Sequence, residues 1–484
     1  MIIERLYTEA LAQSSYLAAA EGGSQAIVVD PNRDVETYLH AAAERKLRIT
    51  HVTETHIHAD FVSGARELAR RAGAALLLSG EGDGEWQYRL SAAESAELLR
   101  DGDSFDVGSL RFDVRHMPGH TPEHLVFLVT ETTVADRPAA ILTGDFIFVG
   151  DVGRPDLLER AAGQTGTMER SARTLFQSLR RMREYPDYLQ LWPGHGAGSA
   201  CGKSLGSMPS TTLGYERLFN WAFQFDDEEE FVRAVLAGQP EPPRYFARMK
   251  QINRDGAGMP RGLPSPMRRF DARALAVALA GTDGDVIVID ARPTAEYAQG
   301  FIPGTINLPA GTSFLMWAGS LLPYDRDLVL LIGDGGEGKA TELRRQLFLI
   351  GLDRVTGWAG ADVLESWQGA TSQPLERIES IGAAALAERD DVQVVDVRAA
   401  SEWSAGHIPG AIHAFLGNLP DVMSSLPRGQ PIVVSCQGGS RSSIAASILR
   451  ANGFTNVINF VGGFGEWQRA GLPVETNGTA APVH

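Results

Sequence analysis

The second half of the chain contains one sequence pattern that occurs twice, and this repeat constrains the fold more than any other feature. The segment VIVIDARPTAEYAQGFIPGTINLP at 286–309 resembles the segment VQVVDVRAASEWSAGHIPGAIHAF at 392–415. Each copy reads as a strand, a helix, a second strand and a second helix. A repeat of this length predicts two small α/β domains in tandem. We place these domains at residues 267–375 and 376–475.

The rest of the chain is long enough to form a further domain. The protein has 484 residues, too many for one hydrophobic core, and 44% of them are hydrophobic, which suffices for several cores. Short apolar runs that alternate with helical stretches predict an α/β or α+β sandwich domain over residues 1–225. Turn signals and the acidic run DDEEE predict a connector over 226–266. We expect residues 476–484 to form a disordered tail.

The composition excludes several classes of function. The formal net charge of -16 disfavours nonspecific binding to nucleic acids and to anionic membranes, since both are polyanions. No apolar run is long enough to span a bilayer, and the N-terminus has no signal-peptide pattern. The chain has 2 cysteines, which fits a reducing compartment better than a disulfide framework. We therefore expect a cytoplasmic protein.

Residues that commonly bind metals recur after predicted strands in the N-terminal domain. The stretch THIHADF begins this series, and the motifs MPGHT, LTGDF and WPGHG follow it. The candidate ligands in these four motifs are His56, His58, Asp60, His120, Asp145 and His195. Histidine and carboxylate side chains on loops at one sheet edge can converge on a metal ion. A single pair of histidines is more often structural, but packing alone does not predict four such clusters.

These motifs resemble those of the metallo-β-lactamase superfamily, in which His-x-His-x-Asp-His is followed by further His, Asp and His ligands. The resemblance covers roughly residues 1–220 and implies an αββα sandwich with its ligands on loops at one edge. In the two-metal hydrolases of the superfamily, the last histidine of the first motif serves the second ion. Phe61 stands at that position in this chain. The replacement therefore predicts one metal ion rather than two.

Within the superfamily, the chain resembles the persulfide dioxygenases, which hold one Fe(II) by two histidines and one aspartate. This resemblance implies that His56, His120 and Asp145 are the metal ligands. Such a set leaves open coordination positions for substrate sulfur and for dioxygen. The residues that would then orient the ligands or water are His58, Asp60 and His195. Zinc tolerates the same ligands, so it remains the alternative metal.

Three further residues are candidates for substrate binding. Arg154 lies in GDFIFVGDVGRPDL, which resembles the segment after the aspartate ligand in persulfide dioxygenases. Its guanidinium would bind a carboxylate or phosphate of a thiol carrier, or it would form a structural pair with Asp156. Cys201 and Lys203 lie in the run GSACGKSLG, where a nearby cation would lower the pKa of the thiol. Cys201 is therefore either an accessible thiol that contacts or accepts sulfur, or a buried structural thiol.

The second small domain contains the stretch SCQGGSRSS between a predicted strand and a predicted helix. The residues that follow Cys436 in this loop are Gln437, Gly438, Gly439, Ser440 and Arg441. Backbone N–H groups of such a loop form an anion site that stabilises a thiolate and then a persulfide. Together with DVR, EW and GHIPGA, the stretch resembles the rhodanese domains, which are sulfurtransferases. The resemblance implies that Cys436 and Arg441 are catalytic. The framework residues that it implies to be structural are Asp396, Arg398 and Glu402.

The first copy of the repeat keeps the framework but lacks the cysteine. When the copies are aligned without gaps, Asp334 takes the place of Cys436. Lys339 takes the place of Arg441, and Glu337 would repel an anionic substrate. An aspartate cannot carry a persulfide, so we expect an inactive rhodanese-like domain that serves packing or dimerisation. A homodimer or homotetramer is therefore expected.

The domain order resembles that of the multidomain persulfide dioxygenase–sulfurtransferases of bacterial sulfide detoxification. The combined expectation is an α/β multidomain protein, with an αββα sandwich of metallo-β-lactamase type followed by two rhodanese-like α/β domains. The resemblance implies that a thiol persulfide is oxidised by O2 to sulfite, and that Cys436 transfers sulfane sulfur to sulfite to give thiosulfate. The thiol carrier stays open between glutathione, coenzyme A, bacillithiol and others. Two alternatives also stay open: a zinc thioester hydrolase resembling glyoxalase II with a fused sulfurtransferase, and a non-enzymatic persulfide carrier or sensor.

Overall fold

The chain folds into two units. The structure is a computed structural model that describes residues 1–82, 84–91, 94–160, 166–203, 205–258, 266–281 and 285–476. The first unit comprises Met1–Pro260 and Leu349–Gly351. The second unit comprises Arg261–Phe348 and Leu352–His484. From residue 477 onward, the predicted tail lies outside the described residues.

Two β-sheets form the centre of the first unit, and each has six strands among the described residues. The strands of the first sheet are β1 (Ile2–Thr8), β2 (Gln13–Ala19), β3 (Gln25–Val29), β4 (Arg48–Thr53), β5 (Ala75–Ser79) and β6 (Ala96–Leu99). The strands of the second sheet are β7 (Ser104–Val107), β8 (Leu110–His116), β9 (Leu125–Glu131), β10 (Ala140–Gly144), β11 (Gln190–Pro193) and β12 (Thr211–Thr212). In both sheets the strands lie side by side in chain order.

The apolar side chains of these strands divide between three layers of core. The helices of the unit are α1 (Val35–Glu44), α2 (Ala65–Ala72), α3 (Leu157–Arg160), α4 (Met168–Met182), α5 (Leu213–Phe219), α6 (Glu228–Leu236) and α7 (Phe246–Asp255). In β9, Val126 and Leu128 pack against α4 and α6, whereas Phe127 and Val129 pack against the first sheet. The other face of the first sheet is covered by α1 and α2. The layers therefore follow the order helix, sheet, sheet, helix, and the predicted αββα sandwich is confirmed.

Most of the segment predicted as a connector over 226–266 belongs to the first unit. Helix α6 buries Phe231 and Val235 in the same core as α4. Its acidic run is not a linker, because Asp227 caps the helix by accepting a hydrogen bond from Glu230 N (2.8 Å). Helix α7 is also docked on this unit. The first domain therefore extends through α7, beyond the predicted boundary.

The second unit contains the same parallel sheet twice. The strands of the first copy are β13 (Arg268–Arg269), β14 (Val286–Asp290), β15 (Ile306–Asn307), β16 (Asp327–Ile332) and β17 (Val355–Gly360). The strands of the second copy are β18 (Glu379–Ile381), β19 (Gln393–Asp396), β20 (Ile412–His413), β21 (Ile432–Ser435) and β22 (Val457–Phe460). The order β13-β17-β16-β14-β15 recurs as β18-β22-β21-β19-β20. The repeat in the sequence is therefore a repeat of topology.

Helices flank both sheets of the second unit. In the first copy they are α8 (Ala272–Leu279), α9 (Thr294–Gln299), α10 (Phe314–Leu321), α11 (Gly336–Leu349) and α12 (Asp362–Thr371). In the second copy they are α13 (Ala383–Ala387), α14 (Ala400–Ala405), α15 (Leu419–Val422), α16 (Ser440–Ala451) and α17 (Gly463–Arg469). Among the described residues of the whole chain, no helix combines the length and the apolar character that a membrane span requires.

Each copy has the same buried ion pair at the C-terminal end of one strand. In the first copy Arg292 Nη2 donates to Asp290 Oδ2 (2.6 Å), and in the second copy Arg398 Nη2 donates to Asp396 Oδ2 (2.7 Å). The Arg398 guanidinium also donates to Gly406 O (2.7 Å), which ties the strand end to the following loop. Such charge-assisted bonds fit the structural role expected for Asp396 and Arg398.

Candidate metal centre and reactive cysteine

The candidate ligands of the first unit lie on loops that follow four different strands. His56 follows β4, and His120 follows β8. Asp145 directly follows β10, and His195 follows β11, which runs parallel to β10, so both residues leave the sheet at the same end. Gly153 passes very close to this point, because a Cβ atom there would lie 1.8 Å from Asp145 O. The loops are therefore packed tightly enough to require glycine at that position.

Three of these side chains, His56, His120 and Asp145, converge in the buried interior and are at most 2% exposed. Asp145 Oδ2 lies 3.9 Å from His56 Nε2 and 3.6 Å from His120 Nε2. This oxygen is buried and has no hydrogen-bond partner. A buried carboxylate oxygen without a partner is unfavourable unless a cation satisfies it. Two imidazole nitrogens and one such oxygen fit a divalent transition metal.

The tautomer of both histidines is set by the ring nitrogen that faces away from Asp145. His120 Nδ1 donates to Arg154 O (3.0 Å). Thr55 Oγ1 donates to Asp30 Oδ2 (2.9 Å) and therefore accepts its other hydrogen bond from His56 Nδ1 (2.9 Å). Each Nδ1 carries the proton, and each Nε2 keeps its lone pair for a metal.

The electrostatic surroundings keep these groups in the forms that bind metal. Burial lowers the pKa of His56 well below its ordinary value, and the charge of His58 lowers it further. Burial also lowers the pKa of His120, against the opposing effect of Asp145. Burial alone would raise the pKa of Asp145, but the charge of His195 brings it below its ordinary value. The histidines are therefore neutral and the aspartate is ionised.

The residues that could serve a second ion make other interactions. His195 donates to Asp145 Oδ1 through Nδ1 and to Asp60 Oδ2 through Nε2, both at 2.7 Å. Burial opposes a charge on His195, but the two carboxylates raise its pKa well above the ordinary value. Phe61 is fully buried, and its ring centroid lies 4.4 Å from that of His58. An imidazolium between two carboxylates and an apolar ring offer no lone pair to a second ion, although Asp60, His195 and Cys201 together form a second group that could hold one.

Asp30 and His124 also belong to the site, although the spacing of the motifs does not indicate them. Asp30 accepts hydrogen bonds from Thr55 N (2.6 Å) and from His58 Nε2 (3.1 Å). Burial lowers the pKa of His58, but Asp30 raises it overall to about 9, so His58 is a cation that holds the loop rather than a ligand. His124, which had no assigned role, accepts a hydrogen bond from Asp145 N through Nε2 (3.1 Å). It therefore helps to orient the aspartate ligand.

Arg154 pairs with a carboxylate of the protein itself. The side chain is fully buried, and its Nε and Nη2 atoms donate to the two carboxylate oxygens of Asp156, both at 2.7 Å. Its remaining hydrogen bonds go to Ala200 O (3.2 Å) and Pro240 O (2.6 Å). These bonds fit the structural alternative, in which Arg154 pairs with Asp156. Contact of Arg154 with a thiol carrier stays a prediction.

Cys201 lies beside the metal centre but is not the accessible thiol of low pKa that Lys203 was expected to create. It is 2% exposed, and its sulfur lies within 4.8 Å of a ring nitrogen of His195. Burial raises the pKa of the thiol well above its ordinary value, and the charge of Asp145 adds to this. Lys203 Nζ donates to Ala234 O (2.6 Å). Contact of Cys201 or Lys203 with a substrate stays a prediction.

Cys436 occupies the turn between β21 and α16 in the second unit. Gly439 N donates to its sulfur (3.1 Å), and the sulfur lies 3.6 Å from Ser442 Oγ. Gly439 has a φ of +96°, and a Cβ atom there would lie 2.0 Å from Val461 O, so only glycine fits. The exposed residues of the loop are Gln437, Gly438 and Ser440. The sulfur therefore lies at the N-terminus of a helix, where an anion is stabilised.

Arg441 flanks this loop as an ion pair rather than as a free cation. Its Nη1 and Nη2 atoms donate to the two carboxylate oxygens of Glu402 at 2.6 and 2.8 Å. Glu402 therefore fixes the guanidinium, and a direct catalytic role for Arg441 stays a prediction. In the first copy Asp334 follows β16 at the corresponding turn, and Lys339 Nζ donates to Glu342 (2.8 Å). That turn has no nucleophile for sulfur transfer.

Comparison with known families agrees with this architecture. The model of the metallo-β-lactamase superfamily matches residues 8–195, and the model of the rhodanese-like domain matches 274–361 and 382–470. A metallo-β-lactamase structure from Staphylococcus aureus is 37% identical with a TM-score of 0.65, and the match covers 74% of this chain and 99% of that one. The chain belongs to the metallo-β-lactamase superfamily and carries two rhodanese-like domains. The superfamily implies a metal, and His56, His120 and Asp145 form a cluster that could hold it, as do Asp60, His195 and Cys201 beside them.

Two curated relatives resemble the separate parts of this metallo-β-lactamase–rhodanese chain. A sulfurtransferase from Allochromatium vinosum is 37% identical over 89 residues, which are 18% of this chain and 83% of the relative. A hydroxyacylglutathione hydrolase from Synechococcus is 31% identical over 158 residues, which are 31% of this chain and 59% of the relative. Both families indicate that the protein is an enzyme.

Proposed function

We propose that the protein is a persulfide dioxygenase joined to a sulfurtransferase. It oxidises the persulfide of a low-molecular-weight thiol with O2 to sulfite, and it passes sulfane sulfur through Cys436 to sulfite, which gives thiosulfate. The observation that carries the proposal is a buried set of two neutral histidines and one carboxylate. The neighbouring Asp60, His195 and Cys201 form a second group that could hold an ion, but the hydrogen bonds of His195 to both carboxylates and the apolar ring of Phe61 argue for one ion. The rhodanese-like domain with its cysteine supports a reaction of sulfur in the same chain.

The proposed cofactor is one Fe(II) per chain, held by His56, His120 and Asp145. Iron in such a set has open coordination positions and supplies redox chemistry with dioxygen that zinc lacks. The chain's own groups prepare this site. Thr55 and the carbonyl of Arg154 hold the ligand histidines in the correct tautomer. His195 donates to Asp145 and to Asp60, which orients both carboxylates.

The groups that take part in the chemistry of the sulfurtransferase step all belong to the second copy. The thiolate of Cys436 attacks the outer sulfur of a persulfide, the sulfur–sulfur bond breaks, and the carrier leaves as a thiolate. A sulfite lone pair then attacks the outer sulfur on Cys436, so that thiosulfate leaves and the thiolate is restored. The N–H of Gly439 and the N-terminus of α16 stabilise the negative sulfur at each stage. Fusion raises the local concentration of sulfite around this cysteine.

The test combines metal analysis with oxygen uptake. Protein purified without oxygen should contain about one iron per chain, and it should consume O2 only when a glutathione or coenzyme A persulfide is present. The variant Cys436→Ser should form no thiosulfate but should keep its oxygen uptake. Loss of oxygen uptake in a folded, iron-loaded Cys436→Ser protein would refute the division of labour between the two sites.

A zinc thioester hydrolase is the second candidate, and the similarity to a hydroxyacylglutathione hydrolase favours it. In such an enzyme a metal ion lowers the pKa of water, which then attacks a thioester carbonyl. Two zinc ions per chain, hydrolysis of a glutathione thioester and no oxygen uptake would replace the dioxygenase proposal with this one.

A further inference from the structure

The metal loop, residues 55–63, is almost entirely buried and has no regular secondary structure. Buried backbone outside strands and helices must find partners for its N–H and C=O groups elsewhere. Side chains from distant parts of the first unit provide many of these partners. Glu123 Oε1 accepts a hydrogen bond from Ile57 N (2.7 Å), and Asp30 accepts one from Thr55 N. The shape of the metal loop is therefore set by side chains that are not in it.

Asn253 of α7 makes three hydrogen bonds of this kind with the loop. Its Nδ2 donates to His58 O and to Phe61 O, both at 2.7 Å. Its Oδ1 accepts a hydrogen bond from Ser63 N (2.8 Å). Asn253 is 3% exposed, so these bonds lie largely away from solvent. One amide thus holds the backbone on both sides of Asp60.

The position of Asp60 matters because it is linked to the ligand cluster. Asp60 Oδ2 accepts from His195 Nε2, and His195 Nδ1 donates to Asp145 Oδ1, both at 2.7 Å. A shift of the metal loop would move Asp60 and would disturb the imidazolium that orients Asp145. The same shift would move His56, which begins the loop. Asn253 therefore acts on two of the three ligands through other residues.

We propose that Asn253 is a positioning residue of the metal centre, and that α7 is part of this centre although it lies outside the metal-binding motifs. Loss of the Asn253 amide leaves two buried carbonyls and one buried N–H without partners. The loop then relaxes, and the ligands no longer meet in one place. Asn253 would therefore strengthen metal binding whether the ion is iron or zinc, and whichever reaction the enzyme catalyses.

The decisive variant is Asn253→Leu, which keeps the size of the side chain but removes all three hydrogen bonds. Binding of Fe(II) without oxygen is measured by competition with a chelator, and Co(II) serves as a second, coloured probe of ligand geometry. We expect the Kd for metal to rise roughly 10–100-fold, as for other residues that orient ligands. The Co(II) absorption should also change shape. An unchanged Kd and an unchanged Co(II) spectrum would overturn the proposal.

Matched variants on the same helix separate positioning from general destabilisation. Met249→Ala removes a fully buried side chain of α7 and should lower the melting temperature with little change in the Kd. Gln251→Leu changes an exposed residue and should alter neither. A Kd that rises equally in Met249→Ala at the same loss of melting temperature would also overturn the proposal. If Asn253→Leu does not fold, the milder Asn253→Ser is measured with the same expected rise.

Discussion

Replacing Glu123 with glutamine is expected to stabilise the protein above neutral pH. The carboxyl is fully buried, its Oε1 accepts a hydrogen bond from Ile57 N (2.7 Å), and its Oε2 has no partner. Burial raises the pKa of Glu123 to about 7, although the bond from Ile57 N opposes this. The folded protein therefore holds a proton on Glu123 at pH values where the unfolded chain has lost it.

The sign and the size of the effect follow from this difference in proton binding. The pKa is raised in the folded state, so the stability contribution is complete below the ordinary value of 4.5 and is lost as the pH rises through about 7. At about 1.4 kcal/mol for each pH unit, the loss of unfolding free energy is about 3 kcal/mol. Glutamine cannot ionise but still accepts the bond from Ile57 N. Glu123→Gln should therefore avoid this loss.

The assay is urea unfolding of the two proteins between pH 5 and pH 8.5, each saturated with the same metal. All groups that both proteins share cancel in the difference of their unfolding free energies. We expect the Glu123→Gln protein to be more stable by about 1 kcal/mol at pH 5, where the unfolded chain has already lost most of this proton, and by about 3 kcal/mol at pH 8.5. The exposed control Glu97→Gln should show no such trend. Parallel curves for the wild type and Glu123→Gln would refute the reasoning.

Three further substitutions test other parts of the structure. Phe61→His adds the missing lone pair beside Asp60, so elemental analysis should find two metal ions per chain where the wild type should hold one. One ion in both proteins would mean that the hydrogen bonds of His195 still block the second site. Thr55→Val removes the acceptor for His56 Nδ1, so chelator competition should find metal binding roughly 10–100-fold weaker, whereas an unchanged Kd would show that Thr55 does not set the tautomer. Gly439→Ala places a Cβ atom 2.0 Å from a carbonyl oxygen and displaces the N–H that faces the Cys436 sulfur. Thiosulfate formation should fall roughly 100-fold while oxygen uptake stays unchanged, and equal losses of both activities would contradict the separation of the sites.

The ligand cluster and the repeat were predictable because their signals are local. His56, Asp145 and His195 each follow an apolar strand, and strands that end at one edge of a sheet bring such residues together. The two copies of the small domain share topology because they share the same succession of strands, helices and turns. Each metal-binding motif, and each copy of the repeat, can be recognised within its own stretch of sequence. Tertiary contacts are needed only to bring the patterns together.

The residues that hold the metal loop were not predictable for the opposite reason. Asp30 lies 25 residues from Thr55, Glu123 lies 66 from Ile57, and Asn253 lies 195 from His58. Each contact joins one side chain to one backbone group. No periodicity or spacing in the sequence records such a contact, and only the folded chain places the partners together.

The boundary predicted at residue 225 for the first domain differs from the structure, because a charged stretch of this composition occurs both in linkers and at the start of helices. Charged residues after a turn occur in linkers, but they also occur in the first turn of a helix, where carboxylates bind the free N–H groups. The run DDEEE is the second case, since Asp227 caps α6. The apolar residues that follow it, Phe231 and Val235, were the better signal, because their spacing places both on one helix face.

The first rhodanese-like copy has no nucleophile, yet it shapes the surroundings of the nucleophile in the second copy. Asn307 N, at the end of β15, donates to Ser447 Oγ on α16 (3.0 Å), and the N-terminus of this helix carries the Cys436 loop. A cavity of about 250 Å³ beside that loop is lined by Trp317 from the first copy and by Arg441 from the second. The cavity therefore combines an apolar wall from the first copy with a guanidinium that Glu402 already pairs. The second copy alone would lack both this wall and the hydrogen bond from Asn307 to α16.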